Sequence, residues 1–145
     1  MPTPDSAGRP QAELIREFVE QRTWAIVGAS NDHQKFGNRI YRNLRAAGYT
    51  VFAVNLHESE VEGDRAYPTL ADLPRRPDVV DLVVPPAAGV SIVRQCADLG
   101  LRRVWFQPGA ESDAALERCR ELGIEAVHHA CAMVHRRIWP AAERS

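Results

Sequence analysis

A polar loop, Gly28-Ala29-Ser30-Asn31-Asp32-His33-Gln34-Lys35-Phe36-Gly37-Asn38, follows an apolar run and opens onto a helical pattern. Phosphate groups suit such a setting. Bare N–H groups at a helix start, small residues that let a ligand approach the main chain, and the Ser30 hydroxyl together form a cradle for a pyrophosphate. Lys35 and Arg39 flank the expected N-terminus of the helix, where the macrodipole disfavours cations, and a bound anion reverses that sign. The alternative is that both are solvated surface charges, and Asp32 is placed to pair with either. The loop is not the G-x-G-x-x-G dinucleotide fingerprint, because Ser30 takes the place of the second glycine and several residues are inserted before Gly37.

The next candidate is Asn55. Enzymes that bind NAD usually place Asp or Glu at the end of the second strand to hold the ribose hydroxyls, whereas this strand ends Val54-Asn55-Leu56-His57. Asn55 donates and accepts hydrogen bonds, so it can meet an adenosine or a phosphorylated ribose, or it can simply make a turn. His57, His128, His129 and His135 are weak metal candidates. His128 and His129 are adjacent, so on a strand they are expected to point to opposite faces, and no Cys or carboxylate stands at a ligand spacing. Cys131 shows no feature that would lower its pKa and reads as an inert thiol, so no catalytic residue is assigned.

Elements that can position the loop recur along the chain. Runs at Trp24–Val27, Val51–Val54, Val79–Val84 and Val104–Phe106, with a weaker fifth at Ile124–Val127, have the look of buried parallel strands, and Ala66-Tyr67 is a candidate edge strand. Helical patterns lie between them, ending at Gly48, Gly100 and Gly123, each suited to a left-handed C-cap. An N-terminal helix is expected over 10–22, preceded by a flexible tail over 1–9, with one domain over 10–145. This alternation predicts a single α/β, Rossmann-like, three-layer domain with a mainly parallel, doubly wound sheet of five or six strands. The winding reversal makes a crevice rimmed by Gly28-Ala29-Ser30 and by Pro85-Pro86.

Composition narrows the partners. With 145 residues, 19 acidic against 18 basic side chains and a formal charge of −1, the chain has no field that would gather nucleic acid or an anionic membrane. Three widely spaced cysteines, Cys96, Cys119 and Cys131, suggest reduced thiols rather than a disulfide framework. No apolar stretch is long enough to span a bilayer and the start lacks a signal-peptide core, so the expected compartment is the cytoplasm. Trp24, Trp105 and Trp139 read mainly as core, with Trp139 the candidate for a homodimer contact.

Five landmarks carry a resemblance that covers Trp24 to about Arg137: Val27-Gly28-Ala29-Ser30 with Lys35-Phe36-Gly37; Val54-Asn55; Tyr67-Pro68-Thr69-Leu70 before Leu73-Pro74; Val80-Asp81-Leu82-Val83-Val84-Pro85-Pro86; and Trp105-Phe106-Gln107-Pro108-Gly109. In order and spacing they resemble the small bacterial CoA-binding proteins, whose fold is similar to the N-terminal domain of the succinyl-CoA synthetase alpha subunit. The resemblance implies that the glycine-serine loop and Lys35 meet CoA phosphates, that Val54-Asn55 lies by the adenosine, and that Val84-Pro85-Pro86 lines the crevice with Gln107 and Gly109. It departs from the family pattern at Leu56, where proline is common, and at His129-Ala130-Cys131, where Asp-Arg-Cys is common. The resulting expectation is non-catalytic binding of coenzyme A or an acyl-CoA. The alternatives are a detached CoA-binding subunit of an acyl-CoA ligase or transferase complex and an NAD(P)-binding redox or sensor protein.

Overall fold

The computed structural model describes residues 8–140. A run of five buried residues forms β1 (Thr23–Val27). It is flanked by β2 (Thr50–Val54) and β5 (Val79–Leu82), both parallel to it. Beyond β5 lie β6 (Arg103–Phe106) and β7 (Glu125–Val127), and beyond β2 lies β4 (Asp64–Tyr67), all parallel. A two-residue β3 (Glu60–Val61) turns back antiparallel on β4 and makes the outer edge. The order β3-β4-β2-β1-β5-β6-β7 makes seven strands, one or two more than expected from the sequence. Ala66-Tyr67, expected as an edge strand, is the end of β4, but the short, polar β3 takes the edge and shows no apolar pattern that would mark it in the sequence. The winding reverses between β1 and β5 as the doubly wound rule requires.

Strand alternation sorts the apolar residues into two cores. Trp24, Ile26, Val79, Trp105 and Val127 face α1 (Gln11–Val19), α2 (Phe36–Ala46) and α5 (Ala132–His135). Ala25, Val27, Val80, Leu82, Val104 and Phe106 face α3 (Gly89–Asp98) and α4 (Asp113–Leu122). Each of the three expected C-cap glycines has a positive φ, 98° at Gly48, 73° at Gly100 and 71° at Gly123.

Several boundaries and roles differ from those expected. The first helix stops at Val19, where its buried face ends, rather than at residue 22; the N–H groups of Glu20 and Gln21 fold back onto the Glu17 and Phe18 carbonyls. Strand β5 ends at Leu82 rather than Val84, because only the Val83 N–H continues the ladder, to Val27 O, before Pro85 and Pro86 supply no donor. Residues 1–7 of the expected tail lie outside the described residues. Arg9 is no part of a loose tail: it is held by Glu13, Glu17 and Glu125 at 2.8–3.0 Å. Trp139 is an intramolecular anchor, only 8% exposed, with its main-chain N–H donating to Ala47 O and its ring edge-on to Tyr49 at 5.7 Å. Its burial within the chain removes it as a dimer contact. No helix among the described residues is long and apolar enough to cross a membrane.

Candidate functional site

Three backbone segments meet at the C-terminal edge of the central strands, and glycine is what lets them touch. Gly28 leaves β1 with φ at 99°. A Cβ built on it would lie 2.0 Å from Val83 O, and one on Gly37 would lie 2.0 Å from Gly28 O. Thus Gly37 performs the close helix-to-strand packing that the last glycine of the dinucleotide fingerprint performs, despite the longer insertion before it. The loop between them is organised internally: Ser30 Oγ accepts from the Asp32 N–H, and Asp32 Oδ1 accepts from the Gln34 N–H. Asp32 pairs with neither cation. The Lys35 ammonium, at the start of α2, has no carboxylate within ion-pair distance among the described residues, and the N–H groups of Ser30, Phe36 and Gly37 have no acceptor there either. Unmatched donors at a helix start, with a free cation beside them, favour an oxyanion.

These groups open onto a two-part cleft. One concavity, of about 490 Å³, is lined by Gly28, Ser30, Lys35, Phe36 and Gly37 on one side and by Val83, Val84, Pro85 and Gln107–Ala110 on the other. The second, of about 640 Å³ and more apolar, runs over Val54, Leu56, His57, Pro68, Thr69 and Leu70 toward Ala88, Ile92 and Gln95 of the α3 region. Gly28, Asn55, Val84 and Pro85 line both and form the saddle between them. The first concavity carries the unmatched donors, and the second, the more apolar of the two, is suited to an apolar or aromatic group.

The Asn55 side chain braces the saddle. Its Nδ2 donates to Ala29 O at 2.8 Å, while its Oδ1 accepts from the N–H groups of His57 and Glu58, so it makes the turn and ties it to the glycine loop. A second clasp joins the loop to the β3–β4 hairpin. Asn38, fully buried, donates to Ser30 O and Glu62 Oε2, and His33 Nε2 lies 3.0 Å from Glu62 Oε2. The bond from Asn38, followed by that from His33, holds the Glu62 carboxyl below its ordinary 4.5. A depressed folded-state value means the clasp stabilises the fold above about pH 4.5 and is lost as pH falls through the folded pKa. Urea midpoints at pH 6 and pH 3.5 are therefore expected to differ more in the wild type than in Glu62→Gln.

Behind the cleft, Gln107 is fully buried and donates through Nε2 to both oxygens of Asp81 at 2.8 and 2.9 Å, while its Oε1 accepts from the Ala132 N–H. Asp81 is fully buried in the middle of β5, and desolvation outweighs the Gln107 bond and pushes its pKa up to about 8. Burial thus favours its protonated, neutral form. The pair links the cleft wall to the start of α5.

All fourteen residues expected at the site lie at or near this edge, but three do not line the cleft. Ala29 is fully buried, pointing into the core. Pro86 begins a short 3₁₀ turn (Pro86–Ala88) and is exposed on its outer side. Arg39 is not the partner of Lys35: α2 carries it round to a separate concavity with Arg42 and Arg45. The two histidines do not point apart, because φ of 59° at His129 swings its ring back until the two Nδ1 atoms are 2.6 Å apart. Among the cysteines, Cys96 and Cys119 are buried and Cys131 half-buried; burial pushes the Cys96 thiol up to about 12. Sequence reasoning did not assign Asp81 to the site, although a lone acid inside the run Val79-Val80-Asp81-Leu82 was its signal. Ile92 and Gln95, one helical turn apart on α3, gave no signal distinct from core packing.

Fold and cleft together define a doubly wound α/β nucleotide-type binding domain. Residues 22–137 match the CoA binding domain family, and the chain belongs to that family. It is 34% identical over 92 residues to the alpha subunit of the ADP-forming acetate-CoA ligase II of Pyrococcus furiosus, a match that covers 63% of this chain and 20% of that one. Across the curated relatives it matches, the chain spans 10–20% of their length. Among solved structures, a hypothetical protein from Pyrococcus horikoshii is 32% identical with a TM-score of 0.82, covering 93% of this chain and 95% of that one. A conserved hypothetical protein from Pyrococcus furiosus is 37% identical with a TM-score of 0.76, covering 78% and 97%.

Proposed function

We propose that this chain binds coenzyme A, free or acylated, in the two-part cleft and does not itself transform it. The observation that carries the reading is the unpaired Lys35 ammonium beside the acceptor-free N–H groups of Ser30, Phe36 and Gly37, all facing one concavity. A diphosphate satisfies those donors, and charge-assisted hydrogen bonds are the strongest kind available to them. The adjoining apolar concavity accommodates the adenine, and the wall Val83–Pro85 with Pro108–Ala110 offers the pantetheine arm a shallow apolar track. Lys35 and His57 are the titratable groups that line the two concavities, and neither contacts a nucleophile there. This supports holding the ligand rather than reacting with it.

The similarity to an acetate-CoA ligase alpha subunit supports a second reading, in which the domain presents its CoA to a larger ligase partner. Both readings need the same cleft. An NAD(P) ligand is disfavoured by Asn55, which stands where an acid would hold the ribose and whose oxygen already accepts two backbone N–H groups. Lys35→Ala is expected to weaken CoA binding by about 1–3 kcal/mol while leaving adenosine affinity nearly unchanged, measured by calorimetry. Equal CoA affinity in wild type and variant removes Lys35 from the site.

A further inference from the structure

Three side chains of the glycine-serine loop hold one small object, the tip of the β3–β4 hairpin. Asn31 presents its carboxamide to the main chain of the tip, where Nδ2 donates to Glu60 O at 2.7 Å and Oδ1 accepts from the Glu62 N–H at 2.9 Å. Asn38, fully buried in the first turn of α2, donates through Nδ2 to Ser30 O at 2.8 Å and to Glu62 Oε2 at 2.9 Å, and its Oδ1 accepts from Arg42 Nε. His33 Nε2 closes the set, 3.0 Å from the same carboxylate oxygen. None of Asn31, His33, Asn38, Glu60 and Glu62 lines either concavity of the cleft.

The turn itself adds an independent feature. Its two central residues, Glu62 and Gly63, have φ of 50° and 82°. Two positive values in succession are what a two-residue type I′ hairpin turn requires, and Asn, Asp or Gly normally fills its first position. A glutamate there carries left-handed strain that Asn or Gly would avoid. Its longer side chain supplies reach: the carboxylate is the acceptor shared by Asn38 and His33, and the side chain is only 17% exposed. The strained residue is therefore the one that ties the hairpin to the loop. The ties adjoin the cradle directly, since Ser30 is held through its carbonyl and Gly37 precedes Asn38.

We infer that Asn31, Asn38 and Glu62 are positioning residues for the oxyanion cradle, and that the hairpin tip holds Ser30 and Gly37 from behind in their ligand-ready placement. The identity of the ligand rests on the CoA reading, and the bracing rests on the hydrogen bonds alone. Within the loop the main-chain bond is that from the Lys35 N–H to Asp32 O, so side-chain ties supply most of its order. A loop ordered before the ligand arrives spares binding that entropic cost. The linkage is reciprocal, so a ligand in the cradle steadies the tip.

The test is Glu62→Asn, which installs the residue type that a type I′ turn favours, so the hairpin keeps its turn while the shorter side chain gives up the shared carboxylate. In the ligand-free protein, amide hydrogen exchange at Asp32, Gln34 and Lys35, whose N–H groups are bonded inside the loop, is expected to quicken roughly tenfold, with the β1 amides changed far less. By calorimetry, Glu62→Asn is expected to bind CoA about fivefold or more weakly and adenosine as the wild type does. Glu62→Gln keeps an acceptor for Asn38 and is expected to recover most of the loss. In the wild type, CoA is expected to slow exchange of the Glu62 N–H, although Glu62 lies outside the cleft. The bracing is overturned if loop exchange is the same in Glu62→Asn and wild type, if the variant keeps wild-type CoA affinity, or if adenosine affinity falls as far as CoA affinity. A wild type that does not bind CoA sinks the CoA reading alone, and exchange in the free protein then decides the bracing.

Discussion

Gly28→Ala is expected to lower stability by roughly 4 kcal/mol or more, among the largest single-residue effects this fold can show. The new Cβ would sit 2.0 Å from Val83 O and 2.9 Å from Val83 C, both backbone atoms, at a φ of 99° that side-chain-bearing residues rarely adopt. Left-handed strain alone accounts for about 1–2 kcal/mol, and the overlap supplies the rest. Relief by backbone movement is blocked, since the Gly28 N–H is bonded to Val54 O and the Val83 N–H to Val27 O. Thermal unfolding is expected to shift down by at least about 10 °C. Gly37→Ala meets Gly28 O in the same stack, so the double variant is expected to lose less than the sum of the two single losses. A Gly28→Ala protein with wild-type melting would show that the turn after β1 and the Val83 main chain are not in contact.

The second large effect is a pH dependence carried by Asp81. The folded chain holds this proton to about pH 8, whereas an ordinary aspartate gives it up near 3.8. Across that window the folded state therefore binds more protons than the unfolded one, so stability falls as pH rises from about 4 to about 8 and levels off beyond. The full swing is on the order of 5 kcal/mol. Asp81→Asn removes the proton from the balance while keeping an acceptor for Gln107 Nε2. Relative to the wild type, the variant is expected to gain stability steadily from pH 4 to pH 8, as read from urea midpoints at fixed temperature. A constant difference between the two proteins over that range would mean that Asp81 ionises as an ordinary carboxylate.

The two effects expose different levels of legibility. Layer order, winding and the crevice could be read from apolar runs punctuated by Gly48, Gly100 and Gly123, because parallel strands buried on both faces leave a dense, local pattern. Ala66-Tyr67 marked β4 but nothing marked β3, since its few polar residues are held by side chains distant in sequence, such as Asn31 on Glu60 O and the Glu62 N–H. At the site, the Gly28, Ser30, Lys35 and Gly37 positions follow from loop chemistry. Arg39 shows where that reasoning stops. A cation one turn into a helix looks adjacent to Lys35 in sequence, but only the rotation of α2 decides which concavity it enters. Asp81 and Gln107 meet across 26 positions, and neither residue type alone marks a coupled buried pair.

The central claim is that CoA occupies the cleft at the winding reversal. Amide chemical-shift mapping of the ¹⁵N-labelled protein during titration with CoA, and separately with NAD, tests it most directly. The account predicts saturable CoA-induced shifts centred on Ser30, Phe36, Gly37, Val84 and Gly109, with NAD producing none of comparable size. Saturation by NAD with no response to CoA, or CoA shifts confined to residues remote from that edge, would contradict it.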